Sequence, residues 1–99
     1  MQISSSKGFY DEEGKLKKVK VEIKKDKELI RRVNLIPGKH YLVNPLDPRR
    51  TRNRNRQVEF RKVVEGNRGE AVAQVKYLDT NGIGKIALDE LDNLPKETK

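Results

Sequence analysis

The sequence predicts a small, mostly β domain whose short antiparallel strands form a barrel or a sandwich. Apolar and charged residues alternate strictly from residue 18 to residue 24, as expected for a strand with one buried and one solvated face. From residue 39 onward, predicted strands recur at intervals of about ten residues, which is typical of small all-β folds. Asn81-Gly82 lies between two of these strands and is a strong signal for a two-residue hairpin turn.

Length and composition restrict the class of protein. The chain has 99 residues, 23 Lys and Arg against 15 Asp and Glu, a net charge of +8, and only 33% hydrophobic residues. This length allows one small domain, and no apolar run reaches the roughly 20 residues of a membrane span. The first residues lack an apolar signal region, so we expect a cytoplasmic protein. The absence of cysteine excludes disulfides, thiolate metal sites and cysteine nucleophiles.

The first 36 residues are predicted to form a basic hairpin or arm. Ser4 to Ser6 are assigned to a disordered tail, and Asp11-Glu12-Glu13-Gly14 to a turn. The alternating strand follows, with Val19, Val21 and Ile23 on its apolar face. Residues 26–36 fit either a strand or one or two helical turns, and Pro37-Gly38 ends them in both cases.

Residues 37–95 are predicted to hold the compact part of the domain. One predicted strand covers residues 57–65 and places Val58, Phe60 and Val64 on one face. A single helical turn at residues 89–94 is ended by Pro95, and residues 96–99 form a disordered tail. The other predicted strands cover residues 39–43, 70–78 and 85–88.

The positive charge is concentrated in one stretch. Residues 1–66 carry a net charge of +9 and residues 67–99 a net charge of −1. Between residues 49 and 62 there are seven cations and one anion, and like charges this close repel one another unless a partner neutralises them. We call residues 49–56 the arginine loop, because its five cations are all Arg, interleaved with Thr and Asn. A second basic stretch, residues 15–27, is mostly Lys and is interpreted as a solvated strand face.

The arginine loop predicts a binding function. Arg grips phosphate bidentately and stacks on bases, so we predict a non-catalytic module that binds RNA or DNA, with binding that weakens as salt rises. Tyr41 is the predicted stacking residue. A module that docks an acidic protein partner is the alternative. The predicted contact residues are Arg49, Arg50, Arg52, Arg54, Arg56, Arg61, Lys62, Lys39 and Tyr41.

Several segments resemble the small SH3-like barrels of the Tudor and KOW kind. They are a Gly-led strand at residues 38–43, a strand at residues 73–79 that runs into a Gly turn, and residues 84–88 running into Asp89-Glu90-Leu91. Asn44-Pro45-Leu46-Asp47-Pro48-Arg49 is similar to a bacterial group of such proteins with no settled function. The resemblance implies a barrel of five or six short antiparallel strands with one short C-terminal helical turn. KOW-like members bind RNA, which the basic charge favours over the aromatic cage of methyl-lysine readers.

A calcium loop is a minor alternative. Residues 79–90 can be aligned with an EF-hand loop, with Asp79, Asn81 and Glu90 as ligands. Ile83 occupies the fifth position, where an oxygen ligand is required, so binding would be weak.

Catalysis is not predicted. His40 is the only histidine and has no cysteine or second histidine to work with. We therefore expect no enzyme activity and no cofactor.

Overall fold

The computed structural model describes residues 2–94, which form a mostly β protein with two antiparallel sheets. The predicted tail at 96–99 and Pro95 lie outside the described residues. One 3₁₀ turn, Leu88–Glu90, precedes the last strand. The strands are β1 (Gln2–Tyr10), β2 (Leu16–Lys25), β3 (Glu28–Leu35), β4 (His40–Val43), β5 (Gln57–Glu65), β6 (Ala71–Tyr77), β7 (Ile83–Ala87) and β8 (Leu91–Asn93).

The first sheet has the order β1-β2-β3. Its first strand corrects our prediction, because Ser4 to Ser6 lie in β1 and pair with β2 rather than forming a tail. The ladder of β2 supplies the hydrogen bonds that hold this edge strand, so the polar side chains of β1 do not prevent pairing. The open choice at residues 26–36 is decided in favour of a strand, β3, whose Val33 and Leu35 are buried.

The second sheet has the order β7-β6-β5-β4-β8. The predicted helical turn at residues 89–94 is wrong in extent, because the 3₁₀ turn ends at Glu90 and β8 follows. Leu91 is fully buried and pairs with Val43 of β4, so burial of this side chain favours an extended return to the sheet. The predicted boundary between residues 36 and 37 falls in the connection between the two sheets.

Two details of the second sheet differ from the predicted pattern. Between Phe60 and Lys62 a bulge shifts the register of β5 with β6, so Val63 rather than Val64 packs against the core. The β6–β7 hairpin is present, but its turn covers the four residues 78–81, since Tyr77 and Gly82 are hydrogen-bonded across it. Asn81 alone in that turn has a left-handed φ, of 61°.

The two sheets share one hydrophobic core. Buried side chains of β2 and β3 form a single cluster with those of β4 to β8 and the 3₁₀ turn. Arg31 of β3 crosses between the sheets. Its side chain is 8% exposed and donates to the Asn44 carbonyl at 2.8 Å, with Asp92 3.4 Å away.

The mostly β class is thus confirmed, whereas a closed barrel is not seen: across residues 2–94 each sheet keeps two free edges. The same residues contain no helix of the length and apolarity that a bilayer crossing requires.

Candidate nucleic-acid interface

A groove of about 830 Å³ lies beside the arginine loop. One wall is residues 49–53 of that loop, and the other is the β5–β6 turn at residues 66–70. Side chains and backbone of β6 and β7 form the floor. We call this the arginine groove. It brings together parts of the chain that are up to about 40 residues apart in sequence.

The arginine loop is ordered by its own polar groups. Asp47 Oδ1 accepts the backbone N–H of Arg49 at 3.0 Å, which starts a turn. Asn53 and Asn55 adopt left-handed φ values of 61° and 67°, a conformation that Asn tolerates better than most residues. The loop closes where the Asn55 N–H donates to the carbonyl of Val43 at 2.8 Å.

Arg54 is part of this internal scaffold. Its Nη2 donates to the carbonyls of Asp47 and Arg50, each at 2.9 Å, and its Nη1 donates to Asn44 Oδ1 at 3.3 Å. A guanidinium can serve several acceptors at once because its donors form a planar fork. The structure therefore places Arg54 inside the loop, facing acceptors of the chain itself.

Arg56 joins the loop to the β6–β7 turn. It forms a bidentate pair with Asp79, at 2.8 and 3.2 Å, and donates to Asn53 Oδ1 at 2.8 Å. Its guanidinium carbon lies 4.0 Å from the centre of the Tyr77 ring, a cation–π contact. The hydrogen bond from Arg56 lowers the pKa of Asp79, so this carboxylate stays charged.

The three remaining arginines of the loop are exposed and line the groove. Arg49 is 90% exposed and pairs with Asp47, whose pKa it lowers. Arg50 is 61% exposed and pairs with Glu90. Arg52 has no hydrogen-bonding or ion-pair partner within residues 2–94.

The floor of the groove is apolar and closely packed. The Tyr77 ring lies against Gly84, where a Cβ atom would come within 2.6 Å of the ring, so a larger residue would push the ring out of its place. Ile83 is exposed beside it. Arg68 and Lys85 add two cations to the groove. Glu70 is its second carboxylate, after Glu90, and its pKa is lowered by the backbone N–H groups of Glu70 itself and of Arg68.

Several predicted contact residues lie elsewhere. Arg61, Lys62 and Lys39 are exposed but do not line the groove. Tyr41 is only 4% exposed, because its hydroxyl accepts the Ile36 N–H and donates to the Asn34 carbonyl, both at 2.7 Å. These bonds fix Tyr41 in the core. The prediction that Tyr41 stacks on a base is therefore wrong.

The segment proposed for calcium is built as a hairpin. Asp79 precedes β7 and is bound by Arg56, whereas Glu90 follows β7 and is bound by Arg50. Among residues 2–94, no group of three His, Asp or Glu side chains is placed to hold a metal ion. Arg56 and Arg50 thus occupy the carboxylates that a calcium ion would need as ligands.

The groove residues that sequence reasoning missed include Arg68, Lys85, Tyr77 and Ile83. Arg68 and Lys85 lie in the nearly neutral last third of the chain, so local charge did not mark them. One available signal was Ile83, an apolar residue next to the predicted turn that is out of phase with Ile86, the buried residue of the same strand.

Comparisons with protein-family models, with curated proteins and with solved structures each gave no significant match.

Proposed function

We propose that this protein is a non-catalytic module that binds nucleic acid in the arginine groove, mainly through backbone phosphates. The observation that carries the proposal is the composition of the groove. Five cations and two carboxylates surround an apolar floor that contains an aromatic ring. Clustered cations along a groove are the usual means of holding a nucleic-acid backbone with little sequence preference.

The ion pairs that the groove arginines form are compatible with phosphate binding. Ion pairs between exposed side chains contribute only about 0–1 kcal/mol, so a phosphate can displace Asp47 from Arg49. The Glu90 side chain is only 17% exposed, so Arg50 keeps this pair and contacts phosphate through the N–H groups that Glu90 does not occupy. Arg52 needs no displacement, since no carboxylate of the described residues holds it. We assign direct phosphate contacts to these three arginines, and a positioning role to Arg54 and Arg56.

We further propose that the second sheet belongs to the SH3-like class of the Tudor and KOW kind. The support is that β8 returns to pair with β4, with a short helical turn containing buried Leu88 before it. In addition, β5 pairs with β4 only through residues 57–59, whereas it pairs with β6 along its length. A bulge between Phe60 and Lys62 shifts the register of the β5–β6 pair. Bulges bend strands at the rims of small barrels.

The proposal is tested by fluorescence anisotropy with labelled single-stranded RNA, single-stranded DNA and duplex DNA over a range of salt concentrations. We expect dissociation constants in the micromolar range near physiological salt. The variant R49Q/R52Q should flatten the dependence of log K on log salt by about 1.4 for single strands, since two phosphate contacts are lost.

The matched control is R61Q/K62Q, which removes the same charge from exposed residues outside the groove. It should leave the salt slope within about 0.3 of the unmodified protein, less than half the slope of one phosphate contact. Equal effects of the two pairs, or no binding at about 100 μM protein, would overturn the proposal. Polyglutamate that competes as well as RNA would instead support docking of an acidic protein.

A further inference from the structure

The outward side of the first sheet carries a second cluster of cations, which we call the lysine face. On β2, Val19, Val21 and Ile23 are buried, so the side chains between them point away from the core. Residues directly opposite each other on antiparallel strands share a face, and the register therefore adds side chains from β1 and β3. The cations of the lysine face are Lys7, Lys18, Lys20, Lys24 and Arg32.

This face is poorly neutralised. Its one carboxylate among the described residues is Glu22, which lies 2.9 Å from Arg32 and 3.9 Å from Lys20. The hydrogen bond from Arg32 lowers the pKa of Glu22, so the group stays ionised. No carboxylate of residues 2–94 pairs with Lys7 or Lys18. Four positive charges therefore remain in excess on one side of a three-stranded sheet.

The register places two of these cations directly against each other. Lys7 of β1 is the cross-strand partner of Lys20 of β2, and like charges in directly opposite positions destabilise a sheet. A carboxylate at either position would pair favourably with the other lysine. The Lys7–Lys20 pair destabilises the sheet, and its presence is explained if an anion binds between the two lysines.

An aromatic ring lies within the same cluster. Phe9 is the cross-strand partner of Lys18, and its ring centre is 5.1 Å from the Lys18 ammonium and 5.5 Å from that of Lys7. Phe9 is partly exposed and is not a member of the hydrophobic core cluster. Aromatic side chains on an open sheet, with cations around them, hold bases of single-stranded nucleic acids by stacking.

We propose that the lysine face is a second site for single-stranded nucleic acid, in which Lys7, Lys18 and Lys20 contact phosphates and Phe9 stacks on a base. The choice of a single strand follows from the ring, because the bases of a duplex are stacked on one another and closed to Phe9. The inference shares its ligand class with the proposed function but uses none of the residues of the arginine groove.

The test uses the whole chain and a labelled oligothymidylate of about 16 nucleotides, the upper end of the site sizes of single-strand binders. K7Q/K20Q should weaken binding about tenfold at low salt, because two phosphate contacts are lost. The charge-matched control is K39Q/K62Q, whose lysines are exposed but lie on neither surface. It should change affinity by less than about twofold.

Phe9 gives a second and more specific measurement. F9L keeps an apolar side chain of similar size but removes the ring, and should weaken single-strand binding at least about fivefold while leaving duplex binding unchanged. F9L and K7Q/K20Q should melt within a few degrees of the unmodified protein, so a loss of binding would not reflect unfolding. Unchanged single-strand binding by F9L would overturn the stacking role.

Other outcomes separate this inference from its rivals and from the proposed function. If K7Q/K20Q and K39Q/K62Q weaken binding equally, or if K7Q/K20Q reduces binding to anionic phospholipid vesicles as much as to oligothymidylate, the lysine face is not a nucleic-acid site. If R49Q/R52Q weakens binding and K7Q/K20Q does not, this inference fails and the arginine groove stands. The reverse result would remove the groove and leave the lysine face.

Discussion

The arginine loop and the lysine face each present five cations, but the protein uses those cations differently. In the loop, Asp47, Glu90 and Asp79 each hold one arginine, and backbone carbonyls hold Arg54. On the lysine face, the one carboxylate among the described residues is Glu22, which pairs only with Arg32 and Lys20. The density of charge along a sequence is therefore a poor measure of the charge that a surface offers to a ligand.

The difference has a structural cause. A loop of this length has few backbone ladder bonds, so side chains must satisfy its carbonyls and set its shape. Arginine does this well because one guanidinium reaches several acceptors. In a strand, the hydrogen bonds to neighbouring strands already satisfy the backbone groups. The lysines of β2 therefore need not bond to backbone carbonyls and can bind a ligand. We therefore expect that removing a cation lowers the free energy of unfolding in the arginine loop and raises it on the lysine face.

The largest effect is expected for Arg31, which connects the two sheets. Arg31→Met removes the donor to the Asn44 carbonyl and leaves Asp92 without its nearby cation. We expect a loss of about 2–3 kcal/mol in the free energy of unfolding, measured by urea denaturation. Arg32→Met, an exposed neighbour on the opposite face of β3, is the control. Equal small losses for both would contradict a linking role for Arg31.

The second effect concerns the scaffold of the loop. Arg54→Ala should lower the free energy of unfolding by about 1–2 kcal/mol and weaken RNA binding, although Arg54 makes no phosphate contact in our assignment. Arg54→Lys should not restore either property, because one ammonium cannot reach the same three acceptors in a fixed plane. Full rescue by lysine would show that only the charge of residue 54 matters.

The lysine face should respond with the opposite sign. Lys7→Glu replaces a like-charge pair with an opposite-charge pair across from Lys20, and should stabilise the protein by about 0.2–1 kcal/mol. Binding of single strands should decrease in the same variant. Thermal melting and anisotropy measured on one preparation check both effects. A variant that is destabilised would indicate that Lys7 has a structural role instead.

The smallest effect is the response to acid. Arg56 lowers the pKa of Asp79 and Arg49 lowers that of Asp47, so the folded state binds these protons more weakly than the unfolded state. The stabilisation is therefore complete above the unfolded pKa and decreases as pH falls below about 5. Asp79→Asn should reduce the drop in melting temperature between neutral and acid pH. An unchanged drop for Asp79→Asn would contradict this pH dependence.

Parts of this architecture could be predicted from the sequence for clear physical reasons. Alternation identified β2, and apolar residues two positions apart, Val58 and Phe60, identified β5. β1 could not be predicted, because its polar residues are held by the β2 ladder and not by burial. The position of the arginine loop between two strands was evident from Asn44-Pro45 and the strand that follows.

The chemistry of the candidate sites was less accessible. The partners of Arg50 and Arg56 are 40 and 23 residues away along the chain, and only the folded sheet brings them together. Tyr41 looked available in the sequence, but its backbone partners Asn34 and Ile36 lie at the junction of the sheets. The lysine face was hidden because Lys7 and Phe9 come from a strand that carried no recognisable pattern.

The central claim is that the arginine groove binds nucleic acid, and a titration of the ¹⁵N-labelled protein with unlabelled single-stranded RNA tests it most directly. Amide chemical shifts should change at Arg49, Arg52, Arg68 and Gly84, which line the groove, and remain constant at Lys39 and Arg61 outside it. If saturating RNA leaves the groove amides unshifted, or shifts only residues outside both basic surfaces, the account is contradicted.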